Sequence, residues 1–171
     1  MAGEGYAHLY GRLYGLPTTV LRLANVYGPR QDPHGEAGVV AIFCGRVLDD
    51  QRPKIFGDGL QTRDYTYVGD VARAFLAAES AEPGETVNIG TGIESSVLDL
   101  LDALGYEGEP EFVPARPGEL QRSVPDPSKA ERLYGWRAEV GLAEGLAATR
   151  DSVIAARRAP DARPPGAFST V

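Results

Sequence analysis

Thr18-Thr19-Val20-Leu21-Arg22-Leu23-Ala24 is apolar or β-branched at nearly every position, a pattern that suits a strand covered on both faces of a sheet. Before it, Ala2, Tyr6, Leu9, Tyr10 and Leu13 recur at helical spacing until Gly15 and Pro17 break the pattern, so an amphipathic helix feeds this strand. A helix leading directly into a buried strand is an α/β signature. After the strand, Gly28 to Gly38 is rich in Gly, Pro and Asp and too long for a simple turn, as functional loops often are. Val39, Val40, Ile42, Phe43, Val47 and Leu48 then mark a second helix.

Farther along, Lys54 to Phe56 reads as a short strand entering the turn Gly57-Asp58-Gly59, and Asp64 to Val68 alternates in strand fashion. Val71, Ala74, Phe75 and Ala78 form a helix face that Pro83-Gly84 ends, and Thr86 to Ile89 is a strand running into Gly90-Thr91-Gly92. Ser96 followed by Asp99 is a capping box for a helix through Leu104, with Gly105 at its end. Glu111 to Val113 suits one more strand. Asp126-Pro127 reads as the N-cap and first position of a helix ending near Gly135, and Leu142, Leu146 and Val153 mark a last helix. Residues 1–158 are expected to form one body, and the proline-rich tail, 159–171, to be disordered.

The chain of 171 residues, 43% of them hydrophobic, has the size and the apolar content of one domain. Its charge of -7, from 24 acidic and 17 basic residues with no long run of either, argues against a nucleic-acid or anionic-membrane surface. No apolar run reaches the roughly 18 residues of a membrane span, and the first residues do not read as a secretion signal. Cys44 is the single cysteine, so neither a disulfide framework nor a cysteine metal site is expected, and a reducing cytoplasm fits. His8 and His34 have no partners at catalytic spacing and read as surface residues.

Three segments, in order, carry a resemblance. They are Leu21 to Gln31 (LRLANVYGPRQ), Ile55 to Tyr67 (IFGDGLQTRDYTY) continuing through Val68-Gly69-Asp70-Val71-Ala72-Arg73-Ala74, and Val87 to Gly92 (VNIGTG). Arg116-Pro117-Gly118-Glu119, Asp126 to Ala130 and Gly135-Trp136 follow. Together they resemble the carboxyl-terminal half of the extended short-chain dehydrogenase/reductase family, the NAD-dependent nucleotide-sugar epimerases and dehydratases. The segments NVYGPRQ and GDGLQTRDY look most like the group that epimerises a uridine-diphosphate (UDP) hexose. The resemblance implies an α/β fold in which a doubly wound Rossmann-type sheet binds the cofactor and a small α/β lobe binds the sugar nucleotide. Thr18 to Ala24 and Thr86 to Ile89 would be the last two strands of that sheet, and Lys54 to Val68 and the chain beyond Ser95 would build the lobe.

The resemblance also implies site residues. Arg63, in G-D-G-x-x-x-R-D, and Arg116, in R-P-G-D/E, would hold the diphosphate, whose charge guanidinium groups match in a bidentate way. The alternative is a pair of surface arginines bonded to neighbours such as Asp64 or Glu119. Asn25 would contact diphosphate or sugar at the carboxyl edge of the sheet, or else cap a turn. Ile55 and Phe56, with Val39 nearby, would pack on the base, against the alternative of ordinary core packing. Tyr65 and Glu119 match positions around the diphosphate and ribose, where an Asp is commoner at position 119. Leu23 and Ala24 match positions near the nicotinamide.

Family chemistry begins when a tyrosinate takes a sugar hydroxyl proton while NAD takes the hydride, and the keto-sugar is then reduced or loses water. A Rossmann cofactor site needs glycines at a strand-to-helix turn, and the one candidate here, Gly90-Thr91-Gly92, lacks the third glycine. The family's catalytic Tyr precedes a Lys by four residues; Tyr6, Tyr10 and Tyr14 are followed at that distance by Tyr10, Tyr14 and Thr18. In relatives the catalytic Lys is followed closely by a segment like Ala2-Gly3-Glu4, so the resemblance implies a chain that begins just after that Lys and is inactive alone. Thr18 to Ala24 would then present an open apolar edge. Each buried Leu or Val so exposed forfeits about 1.5 to 3 kcal/mol against a domain stability of about 5 to 15 kcal/mol, which predicts a marginal or self-associating chain. In relatives the opening helix packs in a dimer interface, so a homodimer is compatible. The competing reading is a non-enzymatic sugar-nucleotide binding module or regulatory partner completed by another chain.

Overall fold

The computed structural model describes residues 2–32 and 38–158. The tail, His34 and the centre of the Gly28 to Gly38 loop lie outside them. Helix α1 (Ala2–Tyr14) leads to β1 (Val20–Leu23) and β2 (Asn25–Tyr27), then α2 (Val39–Leu48), β3 (Lys54–Phe56), β4 (Thr62–Arg63) and β5 (Tyr65–Tyr67). Helix α3 (Val68–Glu79), β6 (Thr86–Ile89), β7 (Ser95–Ser96), α4 (Val97–Ala103), β8 (Glu111–Val113), β9 (Arg122–Ser123), α5 (Ser128–Tyr134) and α6 (Leu142–Arg158) complete the order. No described helix is long and apolar enough to cross a membrane.

Strands β1 and β6 pair in parallel, Val20 beside Thr86 through Leu23 beside Ile89, which is the pairing the resemblance implied. At Ala24 the chain changes partner. The Ala24 amide still donates to the Ile89 carbonyl at 2.8 Å, but the Asn25 amide donates to the Asp64 carbonyl at 2.9 Å, and β2 continues in parallel beside β5. Strand β3 lies parallel to β8, while β4 sits between antiparallel β7 and parallel β9.

One core lies under the small lobe, where Val40, Phe43 and Cys44 of α2 meet Ile55, Tyr65, Leu100 and Leu146. A second joins Val71 and Ala74 of α3 to Val87, Ile89, Ala130 and Trp136. Beside it, the fully buried Asp70 pairs with Arg73 at 2.6 Å and accepts the Glu139 and Val140 amides at 3.1 Å each. The Trp136 indole donates to the Asp70 carbonyl at 3.0 Å, so α3 carries the anchor for the segment after α5.

Several expectations need correction. The Thr18 to Ala24 stretch is not covered on both faces: the strand is shorter, Val20 and Leu21 are half-buried, and Leu23 is 43% exposed. Among the described residues only β6 pairs with β1. Helix α1 buries no residue, leaving Tyr6, Leu13 and Tyr14 each more than 60% exposed. His8, expected at the surface, is half-buried and hydrogen-bonds Thr86 Oγ1 at 3.0 Å. Pro127 is the N-cap of α5 rather than its first residue, because the Asp126 carboxylate accepts the Ser128 amide at 2.9 Å. The Ser96–Asp99 capping box is present in both directions.

Asp64 ties these pieces together. It is fully buried between β4 and β5, and its Oδ1 accepts the Thr91 amide at 3.0 Å, the Thr91 hydroxyl at 2.8 Å and the Thr66 hydroxyl at 3.1 Å. Its Oδ2 accepts the Gly92 amide at 2.8 Å. Gly90 is glycine because a Cβ there would lie 2.5 Å from that Oδ2 and 3.0 Å from the Pro125 ring. Urea denaturation of Gly90→Ala should therefore show a loss of about 2 kcal/mol or more, the cost of displacing a buried carboxylate from its donors. A midpoint equal to the parent's would contradict this packing.

Candidate functional site

A cleft of about 390 Å³ opens in the small lobe. One wall is α2, whose Val39, Ile42, Phe43 and Arg46 share a face because their spacing is helical. The floor is β3 with Tyr65 and Arg63 beside it, and the loop bearing Arg116 and Glu119 forms the far rim. All eight expected substrate-site residues, Asn25, Val39, Ile55, Phe56, Arg63, Tyr65, Arg116 and Glu119, line this one cleft.

Local structure explains their placement. Side chains alternate along extended backbone, so Arg63 and Tyr65 share a side while Asp64 between them turns away into the Gly90-Thr91-Gly92 turn. The Arg116 to Glu119 turn closes with the Glu119 amide on the Arg116 carbonyl at 3.3 Å, and Gly118, at φ +77°, supplies the left-handed residue it needs. Both ends of the turn thereby reach the cleft.

The charged groups are already engaged. Arg116 lies over the Phe56 ring, its guanidinium carbon 3.8 Å from the centroid, a cation–π contact. Arg63 donates Nη1 to the Thr62 carbonyl at 2.8 Å and approaches Glu119 Oε1 with Nη2 at 3.6 Å. Pairing with Glu119 and a place in the cleft, posed as alternatives for Arg63, therefore coexist. Asn25 lies within β2 rather than in a turn. Ile55 is fully buried, so it belongs to the core as well as to the cleft wall. Burial pushes the Tyr65 phenol up to about 12, Arg63 pulling it down and Glu119 raising it, so this tyrosine is neutral near pH 7.

Six lining residues escaped the sequence reading: Ile42, Phe43, Arg46, Lys54, Gln61 and Val97. Arg46 was findable, since it stands seven positions after Val39 on the same helix face. Gln61 was not; its role depends on a fold that lets Nε2 donate to the Phe56 carbonyl at 3.0 Å. Lys54 pairs with Glu111 across β3 and β8 at 3.4 Å.

Leu23 and Ala24 do not share this cleft. They line a shallow polar depression at the carboxyl ends of β1 and β6, with Asn88 and Arg122, and Asn25 borders both spaces. The glycine turn beside it does not fit an NAD pyrophosphate. Its Thr91 and Gly92 amides, which would have to face a phosphate, are both consumed by Asp64. Among the described residues no group of three or more His, Cys, Asp or Glu side chains could hold a metal ion.

Comparison with known proteins places this geometry. Residues 1–90 match the model of the NAD dependent epimerase/dehydratase family. A UDP-glucose 4-epimerase of Mycolicibacterium smegmatis is 50% identical over 154 residues, 87% of this chain and 49% of the relative. A putative UDP-glucose 4-epimerase of Methanocaldococcus jannaschii is 52% identical over 148 residues, 84% of this chain and 48% of the relative. The crystal structure of Thermotoga maritima UDP-glucose 4-epimerase with UDP-glucose superposes with a TM-score of 0.86 at 46% identity, covering 94% of this chain and 52% of that one. The chain thus spans about half the length of the relatives it matches. With the parallel β1–β6 pair of a Rossmann-type sheet and a lobe superposable on these enzymes, the chain belongs to the NAD-dependent nucleotide-sugar epimerase/dehydratase family.

Proposed function

We propose that this chain is the sugar-nucleotide-binding portion of an NAD-dependent epimerase or dehydratase acting on a UDP-hexose, and that it performs no turnover by itself. The observation that carries the proposal is the cleft in which Arg63 and Arg116 meet Phe56, Val39 and Tyr65. In a chain of net charge -7, this one space gathers Arg46, Lys54, Arg63 and Arg116 against the single acid Glu119. Such local reversal of charge selects an anion, and paired guanidiniums suit a diphosphate. The aromatic face of Phe56 and the apolar Val39 suit a base, and Asn25 at the end of the cleft suits the diphosphate or sugar. The Thermotoga maritima enzyme, solved with UDP-glucose, supports the choice of ligand.

NAD belongs to the proposal for the whole enzyme, with Leu23 and Ala24 beside its nicotinamide. The sequence contains no Tyr-x-x-x-Lys and no Gly-x-x-Gly-x-x-Gly, and the Gly90-Thr91-Gly92 turn serves Asp64. In this proposal the pyrophosphate seat and the proton-transfer pair of the whole enzyme are not supplied by the described residues. The apolar face of α1 supports a homodimer, and the single buried cysteine suits the cytoplasm. The unpaired edge of β1 favours a second reading, a binding module completed by another chain. In-frame DNA upstream of Met1 encoding the glycine motif and a Tyr-x-x-x-Lys would support the enzyme; a stop codon and ribosome site there would support the module.

Calorimetric titration with UDP-glucose should show binding that Arg63→Ala and Arg116→Ala each weaken about tenfold or more, the scale of a charge-assisted contact. Unchanged affinity in both variants would remove the diphosphate assignment. With NAD added, the chain alone should not convert UDP-glucose to its 4-epimer, and measurable turnover would contradict the inactive reading. Sedimentation velocity should reveal species heavier than the 18.2 kDa monomer; a monomer at all concentrations would count against the homodimer.

A further inference from the structure

The cleft has two cationic ends, and a diphosphate between Arg63 and Arg116 occupies one of them. Those two arginines belong to the Phe56 end, since Arg116 covers the Phe56 ring and Arg63 approaches Glu119 on the same rim turn. The chain turns back between α2 and β3, which carries Arg46 to the opposite end: its Nη1 donates to the Arg52 carbonyl at 3.2 Å, just before β3 begins at Lys54. Val39, Ile42 and the buried Phe43 and Ile55 line the apolar stretch between the ends. At the second end Lys54 is paired with Glu111 at 3.4 Å. Arg46 is half-buried and pairs with no carboxylate among the described residues; its partner is the neutral Arg52 carbonyl. A guanidinium carries several N–H donors, so one such bond leaves others to serve the cleft it lines.

We infer that Arg46 reads the base, donating to a carbonyl on its outer edge, so that the cleft takes uracil, with oxygen at ring position 4, over cytosine, with an amino group there. The role rests on the diphosphate seat proposed above and deepens it by assigning the base. Val39 and Arg46 stand about 10 Å apart along α2, on one face. A base held against Val39 and Phe56, with its diphosphate toward Arg63, turns its outer edge along Ile42 toward Arg46. Guanidinium N–H groups match a carbonyl acceptor and meet an amino group donor to donor. The wrong base thus leaves both groups unpaired, which costs more than the loss of one hydrogen bond. The bond to Arg52 already restrains the side chain, so less rotamer freedom is lost when the base arrives. Arg46 also stands in the last turn of α2, where a cation complements the helix dipole. That second role needs only charge, whereas base reading needs donors aimed at one atom.

The test titrates the full chain with UDP, with CDP and with inorganic pyrophosphate, for the parent and for Arg46→Gln, Arg46→Lys and Arg63→Ala. The parent should bind UDP roughly tenfold tighter than CDP. Arg46→Gln should lower that ratio by roughly five- to tenfold, the scale of a charge-assisted hydrogen bond discounted for partial exposure. Pyrophosphate should change less than about twofold, because about 10 Å is already one Debye length at about 0.1 M salt. Arg46→Lys keeps the helix-end charge, secures a folded variant, and should give a ratio between those of the parent and Arg46→Gln. A parent without preference for UDP, a ratio unchanged in both variants, or an equal loss for all three ligands would each overturn the base-reading role. Arg63→Ala separates the two levels: when it weakens all three ligands the diphosphate seat stands whatever Arg46 does, and when it weakens none the seat fails and base reading falls with it.

Discussion

The carboxylate of Asp64 accepts four hydrogen bonds in a site closed to water, from the Thr66 hydroxyl and from the amides and hydroxyl of the glycine turn after β6. Its own backbone reaches in two further directions, accepting the Asn25 amide at 2.9 Å and donating to the Ser123 carbonyl at 3.2 Å. One residue thereby joins β2, β9 and the end of β6, elements far apart in sequence. A buried carboxylate would be costly without donors, and here the donors are backbone groups that would otherwise be orphaned at the end of a strand. Because neighbouring side chains on extended backbone face opposite ways, fixing Asp64 inward aims Arg63 and Tyr65 at the cleft. The glycine turn, by the same contact, is committed to structure rather than to a phosphate.

The cleft is consequently preorganised. Arg116 rests on Phe56 and Arg63 on Thr62 and Glu119, so neither guanidinium must be gathered from free rotation when an anion arrives. Tyr65, neutral and almost wholly buried, contributes shape and a polar tip rather than a base. The arrangement suits the charged ligand proposed above. Asn25 borders both the cleft and the neighbouring depression at the carboxyl ends of β1 and β6.

Much of this was legible in the sequence, and the failures share a cause. The Ser96–Asp99 cap could be read from a local pattern, whereas the β1–β6 pairing and the cleft residues came from the family resemblance that short motifs carry. Strand β2 was hidden because Asn25 to Tyr27 is short and gains its identity only by changing partner at Ala24. Composition reports that Thr18 to Ala24 suits a strand covered on both faces, whereas the exposed Leu23 and the pairing with β6 alone match the open edge expected of this chain by itself. Gln61 escaped for a related reason: its hydrogen bond to the Phe56 carbonyl is made across a turn that the sequence does not specify residue by residue.

We propose Arg63 and Arg116 as the seat of a nucleoside diphosphate. A crystal structure of the chain soaked with UDP tests it most directly. Both phosphates are expected between the two guanidiniums, the base against Phe56 and Val39, and Arg116 lifted from the ring it now covers. Density for UDP in the depression beside Leu23 and Asn88, with the Arg63–Glu119 pair undisturbed, would contradict it.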